Sequence, residues 1–245
     1  MSAELHIILI AMGVILLAGF THSFAGFGFS LVSVPLLIIF LSPKIVVPVL
    51  IIHSLFINLY LTYSCRKNIE TRRVLPLFVF GLIGTIIGAK ILLFMAAQSL
   101  KIFISITIAV IALAYLLGFN MKIKNEKLAY GPVGTLSGIL NGSISMSGPP
   151  LIFFFTNQGV KKHIFRANLL SYFLLLNIIT IPVYLIDGLL TEEVLLYSAA
   201  LLPGLVAGAF TGNKLSHLLP ERIFRRIVLI VVMLSGIVSF TLAVA

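Results

Sequence analysis

Charge is scarce in this chain of 245 residues: Asp, Glu, Lys and Arg make up 10% of it, where a soluble domain carries about a quarter. Apolar residues take their place, at 60% of the chain and a mean hydropathy of +1.19. That deficit excludes an ordinary soluble domain and points to an integral membrane protein. Carboxylates are scarcer still, with 7 Asp and Glu against 17 Lys and Arg. A single cysteine, Cys65, excludes an internal disulfide and a Cys-based metal cluster. Tryptophan is absent, so tyrosine has to supply the aromatic belt at the membrane interface. The opening MSAELHIILIAMGVILLAGF has no basic n-region and no clear small-residue cleavage site, and is expected to belong to the bundle rather than to a removable leader.

A hydrocarbon core of about 30 Å takes about 20 apolar residues per helical crossing, so the chain has room for roughly eight to ten segments. Apolar runs lie at 5–41, 45–64, 74–98, 101–119, 128–157, 164–186, 194–213 and 224–244. Fourteen of the seventeen basic residues fall in four connections: Arg66, Lys67, Arg72 and Arg73; Lys122, Lys124 and Lys127; Lys161, Lys162 and Arg166; Lys214, Arg222, Arg225 and Arg226. By the positive-inside rule these loops are cytoplasmic, and Glu4, Asp187, Glu192 and Glu193 mark the opposite side. The net charge of +10 therefore reads as a topology signal and not as a nucleic-acid surface. Two of the basic loops, 120–127 and 158–166, flank one apolar run, so the chain must enter and return between them. Residues 128–157 are too few for two comfortable crossings, and a hairpin of two short or half-crossing helices is expected there. NGSISMSGPP at 141–150 marks its break, and AGFGFSLVSVP at 25–35 marks a similar break inside 5–41.

The halves repeat. Gly19 and Pro35 match Gly134 and Pro150 at an offset of 115, Asn58 matches Asn177 at 119, and Gly84, Gly88 and Lys90 match Gly208, Gly212 and Lys214 at 124. The expected fold is an all-α polytopic membrane protein of two repeats, each an interrupted, re-entrant helical hairpin followed by three transmembrane helices. Residues 1–119 form the first repeat (hairpin 5–41, spans 45–64, 74–98 and 101–119), residues 120–127 a cytoplasmic linker, and residues 128–245 the second (hairpin 128–157, spans 164–186, 194–213 and 224–244). Three spans after a hairpin is an odd number, so the second repeat is inverted relative to the first. Inverted repeats built on interrupted helices are a transporter architecture, with substrate near the midplane at the repeat interface.

Irregular backbone survives in a bilayer only where protein or water meets it, so the two breaks are expected to line a cavity. Pro35 follows Ser33, and Pro149 follows Ser147 and Gly148, the pattern of a cap and a first-turn proline, so a half-helix is expected to start at each break. Its free N–H groups and positive dipole end favour an anion. Gly26, Gly28 and Gly148 allow close backbone approach, and Ser30, Ser33, Ser143, Ser145 and Ser147 offer hydroxyl donors. All the carboxylates fall in loops or termini, which leaves a cationic substrate without a counter-charge.

The segments GFTHSFAGFGFSLVSVPLL (19–37) and GTLSGILNGSISMSGPPLIFF (134–154) resemble the TauE/SafE family of membrane permeases, the TSUP or sulfite exporter-like family. The resemblance covers nearly the whole chain. It implies export or uptake of sulfite, sulfoacetate or another small sulfur-containing or organic anion. The second hairpin departs from the first in having Asn141 where the first has Gly26.

Several residues have a plain reading beside the functional one. His22 and His53 can carry a proton or bind an anion, or can be neutral histidines donating to a carbonyl of a neighbouring helix. Asn58 and Asn177 can bond the substrate or brace the hairpins. Lys90 and Lys214 suit snorkelling at span ends, and Arg166 suits a positive-inside anchor or an anion attractor at the inner vestibule. Cys65 needs no role. The functional expectation is a secondary transporter of a small anion by alternating access, multi-pass in a bacterial-type inner membrane, with neither cofactor nor metal. Its partners are the anion and the lipid bilayer, with proton coupling and oligomerisation left open. A passive anion channel through the same cavity is the alternative. An intramembrane enzyme would have only serines paired with His22 or His53, and no acidic partner.

Overall fold

The computed structural model describes residues 2–116 and 125–215. Helix is the regular element there: α1 Ser2–Ala25, α2 Phe29–Leu37, α3 Pro43–Cys65, α4 Thr71–Phe94, α5 Ala97–Leu116, α6 Glu126–Ile144, α7 Gly148–Asn157, α8 Lys162–Ile186 and α9 Glu192–Leu215, with one 3-10 turn at Arg66–Asn68. Among the described residues five stretches are long and apolar enough to cross a membrane: Leu5–Ala25, Pro43–Asn68, Thr71–Phe94, Lys162–Ile186 and Glu192–Leu215. The protein is therefore an all-α polytopic membrane protein. The span expected at 224–244, most of the linker, and Lys122, Lys124, Arg222, Arg225 and Arg226 lie outside the described residues.

The hairpins differ from the expected pair of half-crossings, because their arms are unequal. α1 has 24 residues and α6 has 19, whereas the returning helices α2 and α7 have 9 and 10. At about 1.5 Å per residue the returning arms reach about 14–15 Å, half a hydrocarbon core. Each reversal needs a left-handed residue: Gly26 (φ 82) and Gly28 (φ 101) in the first, Ser145 (φ 60) in the second. The long arms end at residues 25 and 144 and the short arms begin at 29 and 148, so the hairpin ends stand 119 apart and not 115. Superposing the halves on these ends would pair Gly19 with Gly138 in place of Gly134. Pro35 lies seven residues into α2, while Pro149 and Pro150 fall in the first turn of α7. The sequence misleads here because Gly131, Gly134, Gly138 and Gly142 repeat at helical spacing, offering several matches of equal quality.

Two seams of small residues hold the long helices together. α4 runs parallel to α6, with Gly84 on the backbone of Thr135 and Ile139 and Gly88 on that of Ile139 and Ser143. α1 runs parallel to α9 in the same way, with Gly208 on the Leu16 carbonyl and Gly212 on that of Phe20. Between helices in lipid the hydrophobic drive is weak, and such close backbone approach supplies van der Waals contact instead. Polarity is reversed relative to a soluble protein: Asn58, Asn168, Asn177 and His53 are buried, while Ile83, Ile87, Val206 and Phe210 are exposed.

The helix ends sort into two faces. At one, Lys44 Nζ donates to the Leu93 carbonyl (2.9 Å) and Lys90 pairs with Asp187. At the other, Arg73 bridges Glu70 and Glu126, at 2.8 Å each, and the Glu70 N–H donates to Asn168 Oδ1 (2.8 Å). The second face also carries Arg66, Lys67, Arg72, Lys127, Lys161 and Lys162.

Seam geometry predicts how two kinds of glycine respond to a side chain. Gly138→Leu and Gly208→Leu each drive carbon into backbone, at Gly81 and Leu16, and are expected to cost about 1–3 kcal/mol. Gly13, exposed in α1 with open space around it, should gain about 0.5–1 kcal/mol on replacement by Ala. Thermal unfolding of the detergent-solubilised variants checks both signs.

Candidate functional site

The two hairpin tips meet. Ser30 Oγ and Ser145 Oγ are 3.0 Å apart in a hydrogen bond joining the first turn of α2 to the turn before α7. A cavity of about 30 Å³ opens beside them, room for one or two water-sized groups. The α2 side of its lining is Gly28, Phe29, Ser30 and Leu31, and the α7 side is Ser145, Met146, Ser147, Gly148 and Pro149. His22, Ser54 and Phe173 complete the wall. No carboxylate among the described residues lines it.

Local chemistry explains why the helix starts face the cavity. α2 begins behind left-handed Gly28 and has no side-chain cap, and α7 begins at Gly148 with no side-chain cap either. Each presents a positive dipole end, equivalent to roughly half an elementary charge. α2 contributes N–H groups as well. Pro149 and Pro150 have none to give, so α7 contributes mainly its dipole, the Gly148 N–H and nearby hydroxyls. Carbonyls around the break do receive side-chain donors: Tyr184 donates its hydroxyl to the Gly142 carbonyl (2.6 Å) in the last turn of α6 and Ser137 to that of Ser147 (2.6 Å) in the turn, while Tyr172 reaches the mid-helix carbonyl of Gly134 (3.3 Å).

A buried polar chain leads to the wall. His22 Nε2 donates to Asn58 Oδ1 (2.9 Å), and Asn58 Nδ2 donates to Ser54 Oγ (2.9 Å). Asn177 Nδ2 donates to the same Ser54 Oγ, also at 2.9 Å. Accepting two amide donors leaves the Ser54 hydroxyl hydrogen to be given to something else, and Ser54 lines the cavity. Because the ring of His22 places a proton on Nε2, its neutral form carries a bare lone pair on Nδ1, which is buried and has no hydrogen-bond partner. Interhelical hydrogen bonds in membranes contribute only about 0.6 kcal/mol each on average. Their larger effect is to avoid orphaned groups, and Nδ1 is such an orphan.

The sequence-derived candidates divide accordingly. Gly28, Ser30, Ser145, Ser147, Gly148 and His22 line the cavity. Asn58 and Asn177 do not, and act on it through Ser54. Ser33 is no helix cap: it lies inside α2 and donates to the Phe29 carbonyl (2.7 Å), because the helix starts several residues earlier than proline placement suggested. Ser143 likewise donates within α6 to the Ile139 carbonyl (2.6 Å). Asn141 braces α6 on Thr180 Oγ1 (2.9 Å). Gly26 lies against the stem of Arg166, and His53 donates to the Ser198 carbonyl (2.9 Å), the plain arrangement for a buried histidine.

Ser54 was missed, although its position one helical turn before Asn58 was a signal. Phe29 and Phe173 were missed because an aromatic in an apolar run carries no mark. Arg166 makes a contact that neither of its sequence-level readings contains: its Nη2 donates to the Ser23 carbonyl (2.8 Å) at the end of α1.

Comparison with known proteins adds one positive finding. The chain matches the family described as sulfite exporter TauE/SafE over residues 11–239. No curated protein and no solved structure matches it. The match takes in both hairpin breaks, the cavity between their tips and, among the described residues, four of the five helices long enough to cross a membrane together with residues 11–25 of α1: the chain belongs to the TauE/SafE family of membrane transporters, whose name denotes sulfite export.

Proposed function

We propose that this protein is a secondary transporter that holds a small oxyanion, sulfite or an organosulfonate, between the first turns of α2 and α7 and moves it by alternating access. The observation that carries this reading is the convergence of two uncapped helix starts on one cavity with hydroxyls, a histidine and no carboxylate. Two half-charges of positive sign aimed at one point favour a negative guest and disfavour a cation. A cavity of about 30 Å³ is too small for an open conduit, so parting of Ser30 and Ser145 belongs to loading.

The reading includes an inverted twofold relation between residues 1–119 and 128–245. The matched hairpin ends support it, as do the two parallel seams, in which α4 of the first half packs on α6 of the second and α9 of the second on α1 of the first. Under alternating access such crossed pairs can rock against the rest. The basic face is cytoplasmic, in an inner membrane, by the positive-inside rule. His22 is the residue proposed to take a proton with the anion, since protonation turns its unpartnered Nδ1 from an acceptor into a donor.

Ligands that bind the folded state raise its apparent stability, by about 2.7 kcal/mol at a hundredfold excess over Kd. The test is a thermal-shift panel of sulfite, sulfate, thiosulfate, sulfoacetate, taurine and short carboxylates on the purified protein. A sulfur oxyanion is expected to shift the transition, and the Ser30→Ala, Ser145→Ala double variant to lose at least about tenfold in affinity, as two donors at about 1 kcal/mol each require. A shift given only by cations, or one unchanged in the double variant, contradicts the reading.

Ser145 gives a sharper prediction, because its left-handed backbone (φ 60) costs a non-glycine residue roughly 1–2 kcal/mol. Ser145→Gly removes that strain together with a hydroxyl at the cavity. The variant is expected to melt higher and bind the anion more weakly, which unfolding and titration measured side by side will show.

A further inference from the structure

Arg166 carries more donor capacity than its cap role uses. It stands on the second turn of α8, half-buried, with its stem pressed on Gly26, where an added Cβ would come within 2.7 Å of its Cγ. Nη2 donates to the Ser23 carbonyl, and Nε is buried without a hydrogen-bond partner. The ion pairs among the described residues join Arg73 to Glu70 and Glu126, and Lys90 to Asp187. None includes Arg166. A permanent cation in a membrane protein normally faces a counter-ion, and here the carbonyl end of α1 supplies only a fraction of a charge.

Position gives the leftover donors a use. Arg166 lies one turn beyond the exposed Lys161 and Lys162 of the basic face, and its neighbour Gly26 is two residues before Gly28, which lines the cavity. It is thus placed between the basic face and the site at the hairpin tips. Guanidinium groups bind oxyanions through paired N–H donors, a geometry that an ammonium cannot copy.

We infer that Arg166 forms a second anion subsite, at the mouth of the path from the basic face, where a small oxyanion is captured by the guanidinium before it passes to the cavity. This deepens the transport reading and rests on it for the anion's destination. Capture itself can be tested without knowing the transported species.

Cys65, the last residue of α3, is half-buried and within electrostatic reach of Arg166. It therefore reports local charge through its reaction with methanethiosulfonates. The thiolate attacks the sulfenyl sulfur, a disulfide forms, and methanesulfinate leaves with the bonding pair. The probes are the anionic sulfonatoethyl reagent and the cationic trimethylammonioethyl reagent, applied to the purified full chain at low ionic strength, where screening is weak.

The ratio of anionic to cationic rate constants at Cys65 is expected to fall about tenfold in Arg166→Gln, the lower end of electrostatic focusing. Arg166→Lys retains the charge but not the paired donors, so its ratio should fall between those of the parent and Arg166→Gln, which a purely structural role for the side chain would not predict. The Ser30→Ala, Ser145→Ala variant, altered only in the cavity, should keep the parent ratio, so failure of the cavity reading leaves this result standing. An equal ratio in the parent and in Arg166→Gln would overturn the subsite. So would a Cys65 that reacts with neither reagent, because a subsite loaded from solution must be reachable from it.

Discussion

Everything in this structure follows from breaking two helices where water is scarce. A continuous membrane helix satisfies its own backbone, and an interrupted one exposes carbonyls at one side of the break and N–H groups at the other. The protein treats the two kinds of end unequally. Tyr184, Tyr172, Ser137 and Arg166 donate to carbonyls of the long arms or the turns. The starts of α2 and α7 receive no side-chain cap. The result of this asymmetry is two uncapped helix starts facing one cavity, the feature on which the proposed anion site rests.

The remaining architecture serves to hold those ends in place. Glycine seams let α4 and α6, and α1 and α9, approach to backbone contact, which fixes the long arm of each hairpin against a helix of the other half. Asn58 and Asn177, from α3 and α8, meet on the single hydroxyl of Ser54, so a side chain of the cavity wall is positioned by both halves of the chain at once. In the proposed alternating-access cycle, movement of one half relative to the other would alter that junction, giving anion binding and conformational change a shared set of atoms.

Much of this was legible in the sequence. The breaks were visible because glycine, serine and proline interrupt apolar runs, and the matched asparagines because a mid-membrane amide is rare. The ends of the hairpins were less legible. Pro35 suggested a helix start that lies instead at Phe29, since a membrane helix tolerates an internal proline. Repeated glycines in α6 hid the register behind several equivalent matches. The contacts of Arg166 with Ser23 and Gly26 were not legible, because they join residues some 140 positions apart and no local pattern encodes such proximity. His53 and His22 look alike in sequence, and only the surroundings separate them: one ring is spent on a carbonyl, and the other lines the cavity.

The most direct test places a heavy analogue in the site. Selenite has the shape and charge of sulfite and scatters anomalously, so a structure of the protein determined with selenite bound locates the anion without reference to transport. Anomalous density between the first turns of α2 and α7, within hydrogen-bonding distance of Ser30, Ser145 or Ser54 and beside His22, is the predicted result. Density found only among the surface lysines, with the space between the hairpin tips filled by water or side chains, would contradict the account.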